Sequence, residues 1–107
     1  MKTRQDLFAA AALLGLCLSH SAGSYALDGA ALYKEKLCTT CHGETGAQPI
    51  LPVYPKISGQ NVGYLLEQMK DIRDGKRTNG LSAAMKALVG TVTDEEFQAI
   101  ADWLASN

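Results

Sequence analysis

Beyond residue 42 this chain contains no cysteine and no histidine. A zinc site of the usual Cys/His type needs four ligands, typically with a second pair downstream of the first, so that absence removes it. No strand pattern is visible either, and a thioredoxin-type dithiol needs a strand before it and a strand–helix–strand unit around it. No apolar run reaches the roughly 20 residues of a membrane-crossing helix. Neither sign of charge dominates: ten Lys/Arg face eleven Asp/Glu in the whole chain, and eight face ten after residue 26. No strong preference for nucleic acid or a membrane surface follows from that balance. Repeats of 20–50 residues and low-complexity tracts are absent as well.

What is present begins with the N-terminus. Lys2 and Arg4 precede an apolar run, Leu7–Leu18, and small or polar residues lead to Ser24-Tyr25-Ala26. This is the layout of a secretory signal peptide over residues 1–26, with cleavage after Ala26 and export to the periplasm. A retained anchor would need a longer run. Cys17 follows Leu16 rather than the Gly or Ala of a lipoprotein signal. The expected mature unit, residues 27–107, is a single small domain, near the size at which an apolar core alone is marginal.

Cys38-Thr39-Thr40-Cys41-His42 reads C-x-x-C-H, the pattern for covalent attachment of a c-type haem. Two thiols at this spacing can add to the two vinyl groups of a porphyrin, and the adjacent histidine can bind iron on its proximal face. His42 is the sole histidine remaining after processing, so the other axial position needs a different ligand. A methionine thioether is the usual one. Met69 and Met85 are the candidates; Met69 lies between Leu66 and Ile72 on an apolar helical face, where methionine is often core filler.

Helices are expected at about 28–40 with Asp28 as N-cap, 61–74 with Asn61 as N-cap, 81–88, and 94–105. The last has the best-defined start, a capping box over Thr93-Asp94-Glu95-Glu96. Gly75 and Gly90 are natural stops. Between the first two helices, residues 43–60 carry Pro49, Pro52 and Pro55 at every third position, which blocks a helix. A loop so long needs something large and apolar to pack on.

The segments 54–60 (YPKISGQ), 64–79 (YLLEQMKDIRDGKRTN) and 93–104 (TDEEFQAIADWL), with the C-x-x-C-H motif, resemble the class I cytochromes c of the short bacterial monohaem type. Each half of a dihaem cytochrome c4 is similar. The resemblance covers residues 28–105 and implies an all-α fold whose N- and C-terminal helices cross, with two shorter helices and irregular loops around one covalent haem c. It implies that Gly29 and Tyr33 make the crossing with Ile100 and Trp103. It also implies that the Pro55 carbonyl holds His42, and that a loop-borne Met85 is the second axial ligand. From the apolar pattern, Leu51, Ile57, Leu65, Leu66 and Leu88 are candidates to cover the ring. Tyr54, Gln60, Tyr64 and Arg77 are candidates for the haem propionates. The Lys70–Arg77 stretch reads either as a solvated helix end or as a docking patch for acidic partners.

The function expected is that of a soluble periplasmic one-electron carrier, not an enzyme in itself, working between a redox protein donor and acceptor such as a flavoprotein subunit or a terminal oxidase. The alternative is a fixed haem subunit of a periplasmic redox enzyme, such as flavocytochrome c sulfide dehydrogenase. A third reading, a five-coordinate protein binding gas or peroxide, requires that Met85 not bind iron.

Overall fold

The computed structural model of the chain describes Gly15 and residues 26–107. Apart from Gly15 and Ala26, the expected signal peptide lies outside the described residues. Five helices are present among them: α1 (Gly29–Glu35), α2 (Thr39–His42), α3 (Val62–Arg73), α4 (Ser82–Val89) and α5 (Asp94–Ala105), with no strand. The fold is all-α, as expected.

Three of the helix starts are set by side chains found in the sequence. Asp28 Oδ1 accepts the Ala31 N–H at 3.1 Å, and Asn61 Oδ1 accepts the Tyr64 N–H at 3.2 Å. Thr93 and Glu96 exchange the two bonds of the capping box at 3.1 and 3.2 Å. Each satisfies an amide that a helix end would otherwise leave without a partner.

One expectation is corrected. The helix foreseen over 28–40 is two helices, because the backbone turns at Leu37, which has φ 65°. The Leu37 N–H reaches the Lys34 carbonyl at 3.0 Å and the Cys38 N–H reaches the Tyr33 carbonyl at 3.0 Å. This is the Schellman closure, with leucine where glycine is usual. Left-handed geometry costs a residue with a Cβ about 1–2 kcal/mol. No glycine marks the break, so helix propensity alone runs straight through it.

The first and last helices cross at Gly29. A Cβ there would overlap the Ala99 carbonyl and lie 2.8 Å from Trp103 Cβ. One turn on, the rings of Tyr33 and Trp103 pack with centroids 4.9 Å apart. Trp103 is therefore the partner expected, whereas Ala99, rather than Ile100, sits against the glycine. Ile100 points into the core with Phe97 and Leu104, each about 1% exposed.

A polar clasp ties the end of α3 to the start of α5. Arg73 donates to the Val92 carbonyl at 3.0 Å and to Asp94 at 2.7 Å, pairs with Asp74 at 2.8 Å, and lies over the Phe97 ring. Lys70 joins at 3.3 Å from Asp94, and Lys36 links α1 to Glu96 at 2.9 Å. Lys70 and Arg73, two members of the expected docking patch, are thus engaged internally. The long loop is pinned to α5 as well. The Gly59 N–H bonds the Leu104 carbonyl at 2.9 Å, and Gly46, at φ 78°, leaves no room for a Cβ beside Leu104 and Ile57.

Two predictions follow from this packing. Gly29→Ala should destabilise the haem-bearing protein by about 1–3 kcal/mol through overpacking. Gly90→Ala, at φ −57° with ordinary contacts, should stabilise it by up to about 1 kcal/mol. Guanidinium unfolding of both variants measures the contrast. The second concerns acid. Arg73 holds Asp74 and Asp94 below their ordinary 3.8, and Lys36 does the same for Glu96. A carboxylate lowered on folding adds stability above its unfolded pKa and loses it as pH falls through the folded value. The urea midpoint should therefore fall on acidification below about pH 4, and Asp94→Asn should flatten that dependence.

Candidate functional site

The helices and the proline loop enclose a cleft of about 690 Å³, within the range of cofactor pockets. Its floor is core: Leu65, Ile72, Val89, Phe97, Ile100 and Leu104 all line it. Cys38, Cys41 and His42 enter from α2 and the turn before it, Tyr54, Pro55 and Gln60 from the loop, Tyr64 and Met69 from α3, and Met85 from α4.

His42 is 8% exposed, and its Nδ1–H donates to the Pro55 carbonyl at 3.0 Å. A carbonyl can only accept, so Nδ1 carries the proton and neutral imidazole keeps its lone pair on Nε2. Among the described residues no hydrogen bond takes that lone pair. The ring is oriented by one nitrogen and available through the other, as metal-ligating histidines usually are.

Both cysteines are half-buried on the same cleft and, before haem is attached, are free thiols. Burial pushes the Cys38 thiol up to about 11; a backbone hydrogen bond opposes this and the neighbouring Cys41 adds to it. The Cys41 side chain in turn raises Tyr54. Tyr33 is raised too, by burial first and then by Cys38 and Glu44, and its hydroxyl donates to the Gly43 carbonyl at 2.7 Å.

The expected anchors, ligands and propionate contacts all line the cleft: Cys38, Cys41, His42, Tyr54, Pro55, Gln60, Tyr64, Arg77 and Met85, and Met69 with them. Met85 is on α4 rather than on a loop, and it is less buried than Met69, which is 9% exposed within the core. Of the residues expected to cover a ring, Ile57, Leu65 and Leu88 line the cleft. Leu51 is exposed on the outside of the loop, and Leu66 faces a second, shallower groove with Gly29, Ala99 and Trp103. The reason is helical phase: Leu65 and Leu66 are adjacent on α3, so they cannot share a face.

Gln68, Asn79, Lys36 and Lys56, not foreseen at the site, complete the wall. Arg77 donates to Gln68 Oε1 at 3.0 Å and to Asn79 Oδ1 at 3.2 Å, two neutral acceptors that leave its charge uncompensated. Lys36 and Lys56 also line the cleft, and no aspartate or glutamate does. The acids among the described residues all lie elsewhere. The donor set suits a covalent haem c: two thiols for the vinyl groups, a lone pair on Nε2 for iron, thioethers from another element, apolar walls and cations for the propionates. No cluster of three or more His, Cys, Asp or Glu able to hold a metal ion by itself exists among the described residues.

Comparison with known proteins agrees with that chemistry. Residues 25–104 match the family model described as cytochrome c oxidase, cbb3-type, subunit III. The chain is 43% identical over 94 residues to cytochrome c4 of Pseudomonas aeruginosa, covering 87% of this chain and 43% of that one. It is 33% identical over 96 residues to cytochrome c-553 of Nitratidesulfovibrio vulgaris, covering 87% and 92%. A thiosulfate dehydrogenase electron acceptor of Stutzerimonas stutzeri is 31% identical over 83 residues, covering 71% and 37%. The chain thus spans less than half of the cytochrome c4 and nearly all of the cytochrome c-553. With its single C-x-x-C-H motif opening on a cleft built for a porphyrin, it belongs to the class I cytochrome c family and carries one covalently bound haem c.

Proposed function

We propose that this chain is a periplasmic one-electron carrier in which His42 and Met85 are the axial ligands and Cys38 and Cys41 the thioether anchors. The family consists of electron-carrying cytochromes; the ligand pair, the compartment and the partners are our reading. The observation that carries it is the His42 Nδ1–Pro55 bond, which presents Nε2 to a cleft that Met85 lines from a different helix. The bound haem supplies the one-electron couple. This chain's residues set its surroundings: Pro55 keeps the imidazole oriented and basic, the apolar walls exclude water, and a thioether ligand favours the reduced state. With both axial positions taken by side chains, no position stays open for substrate, which suits transfer rather than catalysis. Met85 is preferred over Met69 because α4 holds it at the cleft only partly buried, whereas Met69 is packed as core. The leader pattern of residues 1–26 supports export.

A second reading concerns the partner. The Stutzerimonas stutzeri relative is named a thiosulfate dehydrogenase electron acceptor, and one from Thiomonas intermedia bears the same name. That favours a sulfur-oxidising dehydrogenase as electron donor to this chain. A fixed subunit of an enzyme such as flavocytochrome c sulfide dehydrogenase would instead copurify with a second chain.

The oxidised protein should show the near-infrared methionine–iron band, and the reduced protein should not bind carbon monoxide. Met85→Ala should lose the band, bind carbon monoxide, and fall in potential by on the order of 100 mV, within the span that axial ligands control. Met69→Leu should do none of these. Ready carbon monoxide binding by the wild type would remove Met85 from the site. Arg77→Gln, which deletes an uncompensated cation from the cleft, should lower the potential by on the order of tens of millivolts, measurable by redox titration.

A further inference from the structure

Tyr33 is fully buried and touches the attachment motif at both ends. Its backbone carbonyl accepts the Cys38 N–H at 3.0 Å, and its phenol donates to the Gly43 carbonyl at 2.7 Å. Cys38 opens the pentapeptide and Gly43 follows His42 directly. One residue of α1 therefore brackets the whole motif.

The surrounding geometry makes the bracket stiff. On the entry side, Leu37 takes up φ 65°, and that turn is what allows the Cys38 N–H to reach back five residues. On the exit side, Gly43 has φ 80°, and a Cβ there would collide with the Gln48 carbonyl, so the loop closes hard against it. Gly43 is buried, and a buried carbonyl deprived of its donor is costly. The phenol has little freedom to leave, because its ring is packed against Trp103 and its helix is pressed onto α5 at Gly29.

We infer that Tyr33 is a positioning residue for His42. Its hydroxyl fixes the carbonyl of Gly43, the residue after the histidine, while the Pro55 carbonyl fixes Nδ1. The imidazole plane is thereby held at its backbone and at its ring. Packing between α1 and α5 needs only an aromatic ring, which phenylalanine would supply; the hydroxyl serves the motif. The inference rests on His42 being the axial ligand, and it extends the helix crossing from a scaffold to a part of the ligand's mounting.

The test compares Tyr33→Phe with Trp103→Phe in the haem-bearing protein. The first keeps the ring and deletes one hydrogen bond; the second disturbs the crossing and leaves the phenol–Gly43 bond in place. In proton NMR of the oxidised protein the haem-methyl shifts report the plane of the axial histidine. Tyr33→Phe should change their order or spread and speed amide exchange at His42 and Gly43 by about tenfold. Trp103→Phe should lower the unfolding midpoint and leave both readouts at wild-type values. A Tyr33→Phe protein with wild-type methyl shifts and wild-type motif exchange overturns the inference, whatever its stability. Should that variant fail to accumulate, the wild type decides. A slowly exchanging Tyr33 hydroxyl proton close to the Gly43 α-protons supports the clamp, and exchange at the rate of a free phenol overturns it. Failure of the ligand assignment is distinguishable, because His42 ring protons in the oxidised wild type would then lack hyperfine shifts.

Discussion

Where α1 crosses α5, a hydrogen atom at Gly29 takes the place of a side chain, and the close approach this allows organises the site. The two backbones come near enough for Tyr33, one turn further on, to lay its ring against Trp103. From that fixed position its carbonyl and hydroxyl reach Cys38 and Gly43. The same terminal helix receives the proline loop through Leu104, first at Gly59 and again at Gly46. That loop carries Pro55, which orients His42. The anchor cysteines, the histidine and its orienting carbonyl therefore take their places from one helix pair.

Charge is sorted with the same economy. Asp74, Asp94 and Glu96 lie outside the cleft, and their pairs with Arg73, Lys70 and Lys36, the last of which also lines the cleft, hold three helices together. Inside the cleft the charged side chains are cations, and Arg77 is held by amides rather than carboxylates. An anionic group entering the cleft meets the Arg77 charge, which no carboxylate pairs, in surroundings less polar than water, where such attraction is stronger. Arg73, committed to the clasp, does not line the cleft, and Arg77 is the guanidinium that does.

A unit this small has few residues with which to make a core, and much of its apolar surface is turned toward the cleft. Leu37, Val53, Leu81 and Leu88 line its walls while remaining 41–63% exposed. Such a chain ordinarily needs a covalent staple or a bound group to complete its interior. A covalently bound haem c is both.

The haem motif, the three side-chain helix caps and the all-α class were legible in the sequence, because each depends on residues a few positions apart. The crossing at Gly29 and Tyr33 was legible through resemblance, with Trp103 as partner. Ala99 was missed because a helix shows its closest backbone only when its neighbour is in place. Leu66 and Leu51 were assigned to the wrong side, since apolarity is local whereas the face it serves is set by packing. The break at Leu37 was invisible: leucine has no preference for φ > 0, and the turn is held by bonds to residues that the fold, not the neighbouring sequence, supplies. Local chemistry thus determined that haem attaches and which histidine can meet it. The Pro55 carbonyl, 13 residues from His42, was legible only through resemblance, and the Tyr33 hydroxyl, 10 residues from Gly43, only in the tertiary structure, because contacts that far apart in sequence are made by the fold.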